Sequence, residues 1–216
     1  MTDNVEILMT NPTLQFRPAQ PSDAAIAARL IYDAAPEQYD FFFDIDRPTI
    51  LDFLGKVFSK RSGVFGYQRY TVATLDEKVV AIGAFYDSAH RPKADLKTLW
   101  TLITCFDPVR LVGILGRISK LSELLTHSKE KTEYIANFAV VPSMRGQGIG
   151  SAFLQRQIQL AQEKGQKQCS LYVASSNPNA QRLYERLGFQ VIGEVTLRGV
   201  PVHNRPPSLR QMELKL

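Results

Sequence analysis

The sequence predicts a domain of the α/β class, and three of its features support this prediction. Short apolar runs typical of strands are interspersed with amphipathic runs typical of helices along the 216 residues. A glycine-rich turn at 145–150 joins an apolar run at 134–141 to an amphipathic run at 151–164, which is the pattern of a strand, a turn and a helix. A second strand and helix follow at 169–173 and 178–187. At 24.3 kDa the chain is long enough to bury a sizeable core as one domain.

The N-terminal part of the chain follows the same two periodicities. Ser22 and Asp23 have side chains that commonly begin helices, and the alanine-rich run behind them stops before Pro36. In order, we predict a strand at 13–17, a helix from 22 to 35, a loop at the aromatic stretch 39–43, a helix from 48 to 61, and two strands at 67–75 and 79–86 joined by a turn at 76–78.

A long helical segment precedes the glycine-rich turn and its flanking strand. Residues 94–125 are apolar at helical spacing, and Pro108 interrupts them because proline breaks the helical hydrogen-bond pattern. Near the C-terminus, two closing strands are predicted at 189–197 and 209–216, across a loop rich in proline and glycine.

Composition argues against several classes of protein. The hydrophobic fraction of 44% is ordinary for a globular chain, and no apolar run approaches the ~18 residues that a membrane-spanning helix needs. The N-terminus has no basic-then-apolar leader, so we expect a cytoplasmic protein. Two distant cysteines, Cys105 and Cys169, argue against a disulfide framework or a zinc cluster, so no metal is expected. A net charge of +5 is too small to indicate nucleic-acid binding by itself.

The turn Arg145-Gly146-Gln147-Gly148-Ile149-Gly150 is the most informative segment of the chain. Its three glycines remove side chains, so backbone N–H groups can approach a ligand closely, with the positive end of a helix behind them. No Lys follows, as a P-loop requires, and Ser151 stands where a dinucleotide fingerprint needs its last glycine. The turn therefore predicts a cradle for a diphosphate, with a plain flexible helix start as the alternative.

A second segment follows about thirty residues later. Asn177 can cap a helix, Pro178 suits its first position, and Gly188 can end it. Between them, four residues share one apolar face: Ala180, Leu183, Tyr184 and Leu187. Capping and amphipathicity explain this helix without any chemistry, but they do not explain why the two segments occur together in this order.

Residues 135–193 resemble the acetyl-CoA-binding half of the GNAT superfamily of N-acetyltransferases. Three motifs of that family match in order: hydrophobic-x-Val-x-Pro at Phe138, Val140 and Pro142; Arg-x-x-Gly-x-Gly at Arg145, Gly148 and Gly150; and Asn-x-x-Ala-x-x-x-Tyr-x-x-x-Gly-Phe at Asn177, Ala180, Tyr184, Gly188 and Phe189. The match covers roughly a quarter of the chain, and the remainder fits only as a pattern of elements.

The resemblance implies a mixed, mostly antiparallel, twisted sheet of about seven strands with helices on both faces. It also implies that the sheet splays between its fourth and fifth strands, which are 134–141 and 169–173 here. A helical insertion at about 88–132, between the third and fourth strands, departs from the family pattern, and the whole of 1–216 is expected to be one domain. This insertion is interpreted as a hairpin packed on the domain, with a dimer surface, a wall of the substrate pocket or a membrane-surface helix as alternatives.

The resemblance further implies an N-acetyltransferase that moves an acetyl group from acetyl-CoA to a primary amine by direct transfer in a ternary complex. Tyr184 is the expected catalytic residue, because a phenol can stabilise the negative charge that develops on the sulfur. The residues expected to bind the cosubstrate are Phe138, Ala139, Val140, Arg145, Gly146, Gln147, Gly148, Ile149, Gly150, Ser151, Asn177 and Tyr184.

The sequence does not identify the general base. Family members often place a carboxylate on the fourth or fifth strand, where this chain has Ala136, Asn137 and Tyr172. The alternatives are Glu133, the loop histidines His90 and His203, and a water chain ordered by Asn137 or Tyr172. A covalent relay through Cys169 is disfavoured, since a small apolar residue in a buried strand explains it.

The acceptor is likewise left open, whether a small molecule or a peptide amine. Phe41, Phe42, Phe43 and Trp100 are candidates for an apolar pocket, and Asp40, Asp44 and Asp46 for attracting an ammonium group. A homodimer is a further expectation, while nucleic acid and membrane are not expected partners. Two other functions compete with the enzyme: a CoA-binding module without catalysis, and an oligomeric scaffold built on the insertion.

Overall fold

The computed structural model describes residues 13–61, 63, 65–87, 96–124, 131–197, 199–201 and 205–216. Within these ranges the elements are, in order, β1 Gln15–Pro18, α1 Ala24–Ala34, α2 Pro36–Phe43, α3 Arg47–Phe58, β2 Tyr70–Leu75, β3 Lys78–Asp87, α4 Leu96–Cys105, α5 Pro108–Leu124, β4 Thr132–Val140, α6 Ile149–Glu163, β5 Gln168–Ala174, α7 Pro178–Arg186, β6 Gln190–Val195 and β7 Leu209–Lys215. None of the helices described combines the length and hydrophobicity that a membrane span requires.

The strands form one mixed sheet with the order β1-β2-β3-β4-β5-β7-β6. Every neighbouring pair is antiparallel except β4 and β5, which run parallel. The parallel pair arises because α6 returns the chain to the same end of the sheet before β5 begins, as a crossover helix does. The predicted α/β class, with a mostly antiparallel sheet of about seven strands, is confirmed.

The parallel pairing of β4 with β5 is short. It runs only from Thr132 opposite Gln168 to Ile135 opposite Leu171, although β4 continues to Val140 and β5 to Ala174. Beyond these four residue pairs the two strands separate, and a cleft opens in the middle of the sheet. The predicted splay between the fourth and fifth strands is therefore confirmed.

A β-bulge lies on β4 where it leaves β5. Ile82 pairs with Ala139 and Ala84 pairs with Ala136, so Gly83 alone faces both Asn137 and Phe138. Asn137 has φ 49°, a left-handed conformation that asparagine tolerates better than most residues. Glycine suits position 83 on the opposite strand, because a Cβ there would lie 2.7 Å from the ring of Phe85 and force that ring to move.

Helices cover both faces of the sheet, as predicted. Side chains of β2 and β3 alternate between them: Val72 and Ile82 pack in one hydrophobic cluster with α1, α2 and α3, whereas Ala73 and Ala81 pack in another with α6. A third cluster joins α6 and α7 to β5 and β7. The cleft between β4 and β5 consequently has α1 and α2 on one side and α6 and α7 on the other.

The insertion between β3 and β4 packs its helices on α2 and α3. The ring of Phe106 lies 5.7 Å from that of Phe43 and 5.4 Å from that of Phe53. Arg117 donates from Nε to the carbonyl oxygen of Phe42 at 2.9 Å, which satisfies one of the unpaired carbonyl groups at the end of α2. The insertion is thus a helical pair packed on the domain, as predicted, and it leaves Trp100 67% exposed.

The aromatic stretch 39–43 is helical, and the prediction of a loop there was wrong. Pro36 occupies the first turn of α2, Glu37 favours that turn electrostatically, and Asp44 ends the helix at φ 52°. Tyr39 and Phe43 lie one helical turn apart, stack at 6.4 Å and are both buried. Burial of these rings outweighs the modest helix propensity of aromatic residues.

Candidate functional site

A cavity of about 720 Å³, here called the outer cavity, opens between β4, α6 and α7. The residues around it include ten of the twelve expected to bind the cosubstrate: Phe138, Ala139, Val140, Arg145, Gly146, Gly148, Gly150, Ser151, Asn177 and Tyr184. The remaining two point elsewhere, since Ile149 is buried in the core and the Gln147 amide donates to the carbonyl of Ser143 at 3.2 Å.

The glycine-rich turn presents its backbone to the outer cavity. Gly146 and Gly148 have φ 78° and 81°, a region that side-chain-bearing residues avoid, and nothing lies within 4 Å of where their Cβ atoms would be. Gly150 instead permits a close approach, because its Cβ would lie 3.3 Å from Cδ2 of Leu183 on α7. Among the described residues, no acceptor pairs with the backbone N–H groups of 146–151. The turn therefore offers a row of donors at a helix N-terminus.

Positive charge surrounds the same cavity. Arg145, Arg182 and Arg186 line it, whereas its acidic lining residue, Asp33, is paired with Arg47 at 3.1 Å. Arg145 donates from Nε to the carbonyl of Val140 at 3.0 Å, which ties the start of the turn to the end of β4. The electrostatic environment suits an anionic ligand.

Tyr184 lies at the inner end of the outer cavity. Its side chain is buried, and its ring packs against Phe189 at 5.9 Å. Burial raises the pKa of its phenol well above the ordinary 10.0, so the group is a neutral hydrogen-bond donor at physiological pH. Asn177 caps α7 by accepting from the backbone N–H of Ala180 at 3.1 Å, so both motif residues are held by this helix.

A second cavity of about 440 Å³, here called the inner cavity, adjoins the first at Ala34, Phe138, Asn177, Ala180 and Tyr184. Its wall is mostly aromatic and aliphatic, with contributions from α1 to α5, β3, β4, β5, α7 and β7: Ala34, Ala35, Gln38, Tyr39, Phe42, Phe43, Phe53, Phe65, Tyr86, Leu102, Leu115, Ile118, Tyr134, Ile135, Ala136, Asn137, Phe138, Tyr172, Val173, Ala174, Asn177, Ala180, Tyr184 and Leu209. The two cavities together form one continuous cleft through the splayed part of the sheet.

A hydrogen-bonded group at the bulge borders the inner cavity. Tyr39 donates to Oδ1 of Asn137 at 3.2 Å, and Nδ2 of Asn137 donates to the hydroxyl of Tyr70 at 2.9 Å. Burial raises the pKa of both tyrosines, so neither phenol is ionised near neutral pH. Neither Tyr39 nor its neighbour Gln38 was predicted to border the site, because the stretch 39–43 was expected to be a loop.

The structure places the suggested bases as follows. Asn137 and Tyr172 line the inner cavity, whereas Glu133 lines neither cavity and lies 3.5 Å from Nζ of Lys164. Cys169 is buried, and burial together with the nearby charge of Glu133 raises the pKa of its thiol to about 12, which excludes a thiolate relay near neutral pH. The histidines His90 and His203 lie outside the described residues.

The residues suggested for acceptor binding lie in different parts of the structure. Phe42 and Phe43 line the inner cavity; Phe41 lines a separate hollow and Trp100 lies on the surface. The three aspartates serve the local fold instead: Asp40 accepts from Tyr32 at 2.7 Å, Asp44 lies 3.6 Å from Arg117, and Asp46 caps α3. In the described ranges, no three His, Cys, Asp or Glu side chains gather as a metal site requires.

Comparison with known proteins matches this geometry to one family. A model of the acetyltransferase (GNAT) family matches residues 31–189. A thialysine N-epsilon-acetyltransferase from Bos taurus is 38% identical over 66 residues, which are 31% of this chain and 39% of that relative. For this relative and two other curated N-acetyltransferases, the chain covers between 27% and 39% of the relative's length.

Solved structures share the whole fold. An N-acetyltransferase from Staphylococcus aureus Mu50 has a TM-score of 0.67 at 20% identity, covering 93% of this chain and 100% of that one. A structure from Salmonella typhimurium that contains its cofactor acetyl-CoA has a TM-score of 0.54 at 20% identity, covering 94% of each chain. Because the family model spans well over half of its residues, this chain belongs to the acetyltransferase family known as GNAT.

Proposed function

We propose that this protein transfers the acetyl group of acetyl-CoA to a primary amine while both substrates are bound in the cleft. One observation carries the proposal: Gly146, Gly148, Gly150 and Ser151, whose backbone amides have no partner among the described residues, line a cavity. The inner end of this cavity, at Tyr184, opens into a second cavity large enough for a small acceptor. A donor and an acceptor bound in the two cavities would meet beside Tyr184.

The outer cavity fits the phosphate-bearing part of CoA. The amides of the turn would donate to the diphosphate, and each such charge-assisted bond contributes about 1.5–3 kcal/mol. Arg145, Arg182 and Arg186 add positive charge at the same cavity. The related Salmonella structure contains acetyl-CoA, which supports the same donor here.

The pantetheine arm would follow β4 beyond its last pairing with β5. Phe138, Ala139 and Val140 line the cavity on the stretch that does not pair with β5. Apart from the Val140 carbonyl, which accepts from Arg145, their backbone edge toward β5 is available to an extended, amide-containing chain. Opposite them, Oδ1 of Asn177 is used for capping α7, which leaves its Nδ2 to donate to an amide carbonyl of the arm.

The reaction exchanges one bond for another. The amine nitrogen attacks the thioester carbonyl carbon, so that a C–N bond forms and the C–S bond breaks. Over the whole reaction the nitrogen loses one proton and the sulfur gains one. The phenol of Tyr184 would donate a hydrogen bond to the sulfur as negative charge builds there. Because its pKa is raised by burial, the phenol stabilises the thiolate rather than surrendering its own proton.

The proton of the amine would pass to ordered water in the cleft or to bulk solvent. An alkylamine with a pKa near 10.4 is neutral in only about one molecule in a thousand at pH 7.4. Among the described residues, no carboxylate or histidine lines the inner cavity, so we assign the proton to a water chain that passes Asn137 and Tyr172.

Calorimetry and a turnover assay test the proposal separately. Desulfo-CoA should bind the purified protein and release measurable heat, and acetyl-CoA should yield free thiol faster when an amine is added. Absence of heat at millimolar desulfo-CoA would contradict the proposed cosubstrate.

A CoA-binding module without catalysis is the second candidate. The observation that favours it is the same lack of a described carboxylate or histidine around the inner cavity. Heat from desulfo-CoA, combined with no amine-dependent thiol release across primary amines of different polarity, would support the module and contradict the enzyme.

A further inference from the structure

The inner cavity has the lining of a site for an apolar ring. Ring side chains reach it from α2, α3, β3, β4, β5 and α7 and from Phe65 ahead of β2, and they include Phe42, Phe53 and Tyr134. Aromatic walls of this kind favour a flat apolar body, because they bury it and allow stacking or edge contacts. Its volume of about 440 Å³ suits a small molecule.

The charge of the lining also limits which form of an amine can bind. The titratable groups among the described lining residues are tyrosines, at 39, 86, 134, 172 and 184, and none of the lining residues carries a carboxylate, ammonium, guanidinium or imidazole. An ammonium ion placed there would lose its hydration without gaining a counter-charge, which is costly. An acceptor therefore binds more favourably as the free base.

Gln38 differs from the other polar residues of this wall because its buried side-chain amide has no partner among the described residues. The residue is 6% exposed, and Nε2 and Oε1 of its side chain are both buried without a hydrogen-bond partner among the described residues. A buried, unpaired amide is unfavourable by itself and occurs at sites where a partner arrives from outside the chain. The amide can donate one hydrogen bond and accept another, so it matches a carboxamide or a similar group that has both a donor and an acceptor.

We propose that the acceptor is a ring-bearing, weakly basic primary amine that enters uncharged and pairs a polar ring substituent with Gln38. This proposal rests on the proposed acetyl transfer and names the class of acceptor for it. Cationic amines, such as polyamines and lysine, are the competing class.

The helical insertion contributes part of this site. Leu102 is buried in the wall, and Leu115 and Ile118 line the cavity while remaining 41% and 39% exposed, so they stand where the cavity meets solvent. The insertion thereby extends the apolar wall beyond the sheet. Its role as a pocket wall follows from these three contacts together with its packing on α2.

Matched acceptors test the proposal on the wild-type protein. We expect aniline and 4-aminobenzamide to be acetylated, with kcat/KM for 4-aminobenzamide at least about fivefold higher. We also expect spermidine and lysine methyl ester to be acetylated far more slowly than either. For benzylamine, kcat/KM should rise about tenfold per pH unit below the pKa of the amine, whereas that for aniline stays flat near neutral pH.

A Gln38→Met variant, which keeps volume and removes the amide, tests the polar contact. Its kcat/KM for 4-aminobenzamide relative to that for aniline should fall to near unity, and this ratio is measured within the same variant, so a general loss of activity does not affect it. A wild-type preference for spermidine or lysine methyl ester, or an undiminished carboxamide preference in Gln38→Met, would overturn the proposal. Desulfo-CoA calorimetry on the same samples distinguishes a failure of this proposal from a failure of the proposed function. If CoA still binds, such a result contradicts only the acceptor class. If CoA does not bind, the proposed acetyl transfer itself is contradicted.

Discussion

The hydroxyl of Tyr39 donates a hydrogen bond to the side-chain oxygen of Asn137 at 3.2 Å. This contact joins α2 to the bulge of β4, two elements that are nearly a hundred residues apart in sequence. The same asparagine donates to Tyr70 at 2.9 Å, so one side chain connects α2, β2 and β4 at the mouth of the splay. Two buried phenols and one partly buried amide thus hold the bulge where the proposed donor and acceptor would meet.

Substitution of Asn137 should separate hydrogen bonding from backbone strain. Asn137→Gly loses both hydrogen bonds but tolerates φ 49°, and we expect it to lower the free energy of unfolding by about 1–3 kcal/mol. Asn137→Ala also forces a Cβ into the left-handed region, so it should be the more destabilising by about 0.5–1 kcal/mol. Urea unfolding measures both. Equal stability of the two variants would show that the bulge relaxes.

The glycine-rich turn gives a prediction with a matched control. Gly148→Ala and Gly165→Ala both place alanine at a positive φ, 81° and 72° respectively, with open space around the new Cβ. Each should lose about 1 kcal/mol of stability. We expect Gly148→Ala alone to weaken desulfo-CoA binding at least about tenfold, because the turn amides would no longer converge. Equal affinities in calorimetry would remove the turn from the binding site.

Removal of one phenolic oxygen tests Tyr184. Tyr184→Phe keeps the ring that packs on Phe189, so stability and the affinity for desulfo-CoA should change little. Turnover should fall roughly a hundredfold, because the hydrogen bond to the sulfur matters as charge develops. Tyr67→Phe, on a tyrosine that lines neither cavity, is the control. Wild-type kcat in Tyr184→Phe would contradict the assigned role.

Glu133 predicts a pH dependence of stability. Burial raises the pKa of its carboxyl above the ordinary 4.5, with Lys164 offsetting part of the effect. The folded protein therefore holds this proton more tightly than the unfolded chain, and the associated stabilisation disappears as pH rises through the folded pKa. Glu133→Gln has no such titration, so its stability relative to wild type should increase as the pH rises above about 4.5 and level off once the folded carboxyl has lost its proton.

Urea unfolding across that pH range measures this difference. Glu163→Gln removes a carboxylate from an exposed position of α6 and serves as the control for the lost charge. A stability difference between Glu133→Gln and wild type that stays constant with pH would contradict the raised pKa.

The elements around the outer cavity could be predicted because their causes are local. A strand, a turn with glycine at positive φ, and a helix capped by Asn177 before Pro178 are each encoded within a few residues. The observed ends of α6 and α7 lie within two residues of the predicted ones. Their order also carried the family resemblance.

The inner cavity could not be predicted, because it depends on contacts between distant segments. Phe42, Leu102 and Tyr172 become neighbours of one space only after the sheet and the insertion have packed. Because 39–43 was predicted as a loop, Gln38 and Tyr39 were not expected to face the cleft. Pro36 followed by Glu37 is nevertheless a recognisable helix start. The sequence feature that indicates the positive φ of Asn137 is weak: it is the presence of an asparagine within an apolar strand.

The four residue pairs between β4 and β5 have a mechanical consequence. They are the seam between a four-stranded and a three-stranded half-sheet, and the backbone amides just past the seam lack cross-strand partners between β4 and β5. Hydrogen–deuterium exchange should therefore be fastest within the sheet at that boundary and should slow when a ligand bridges the two halves.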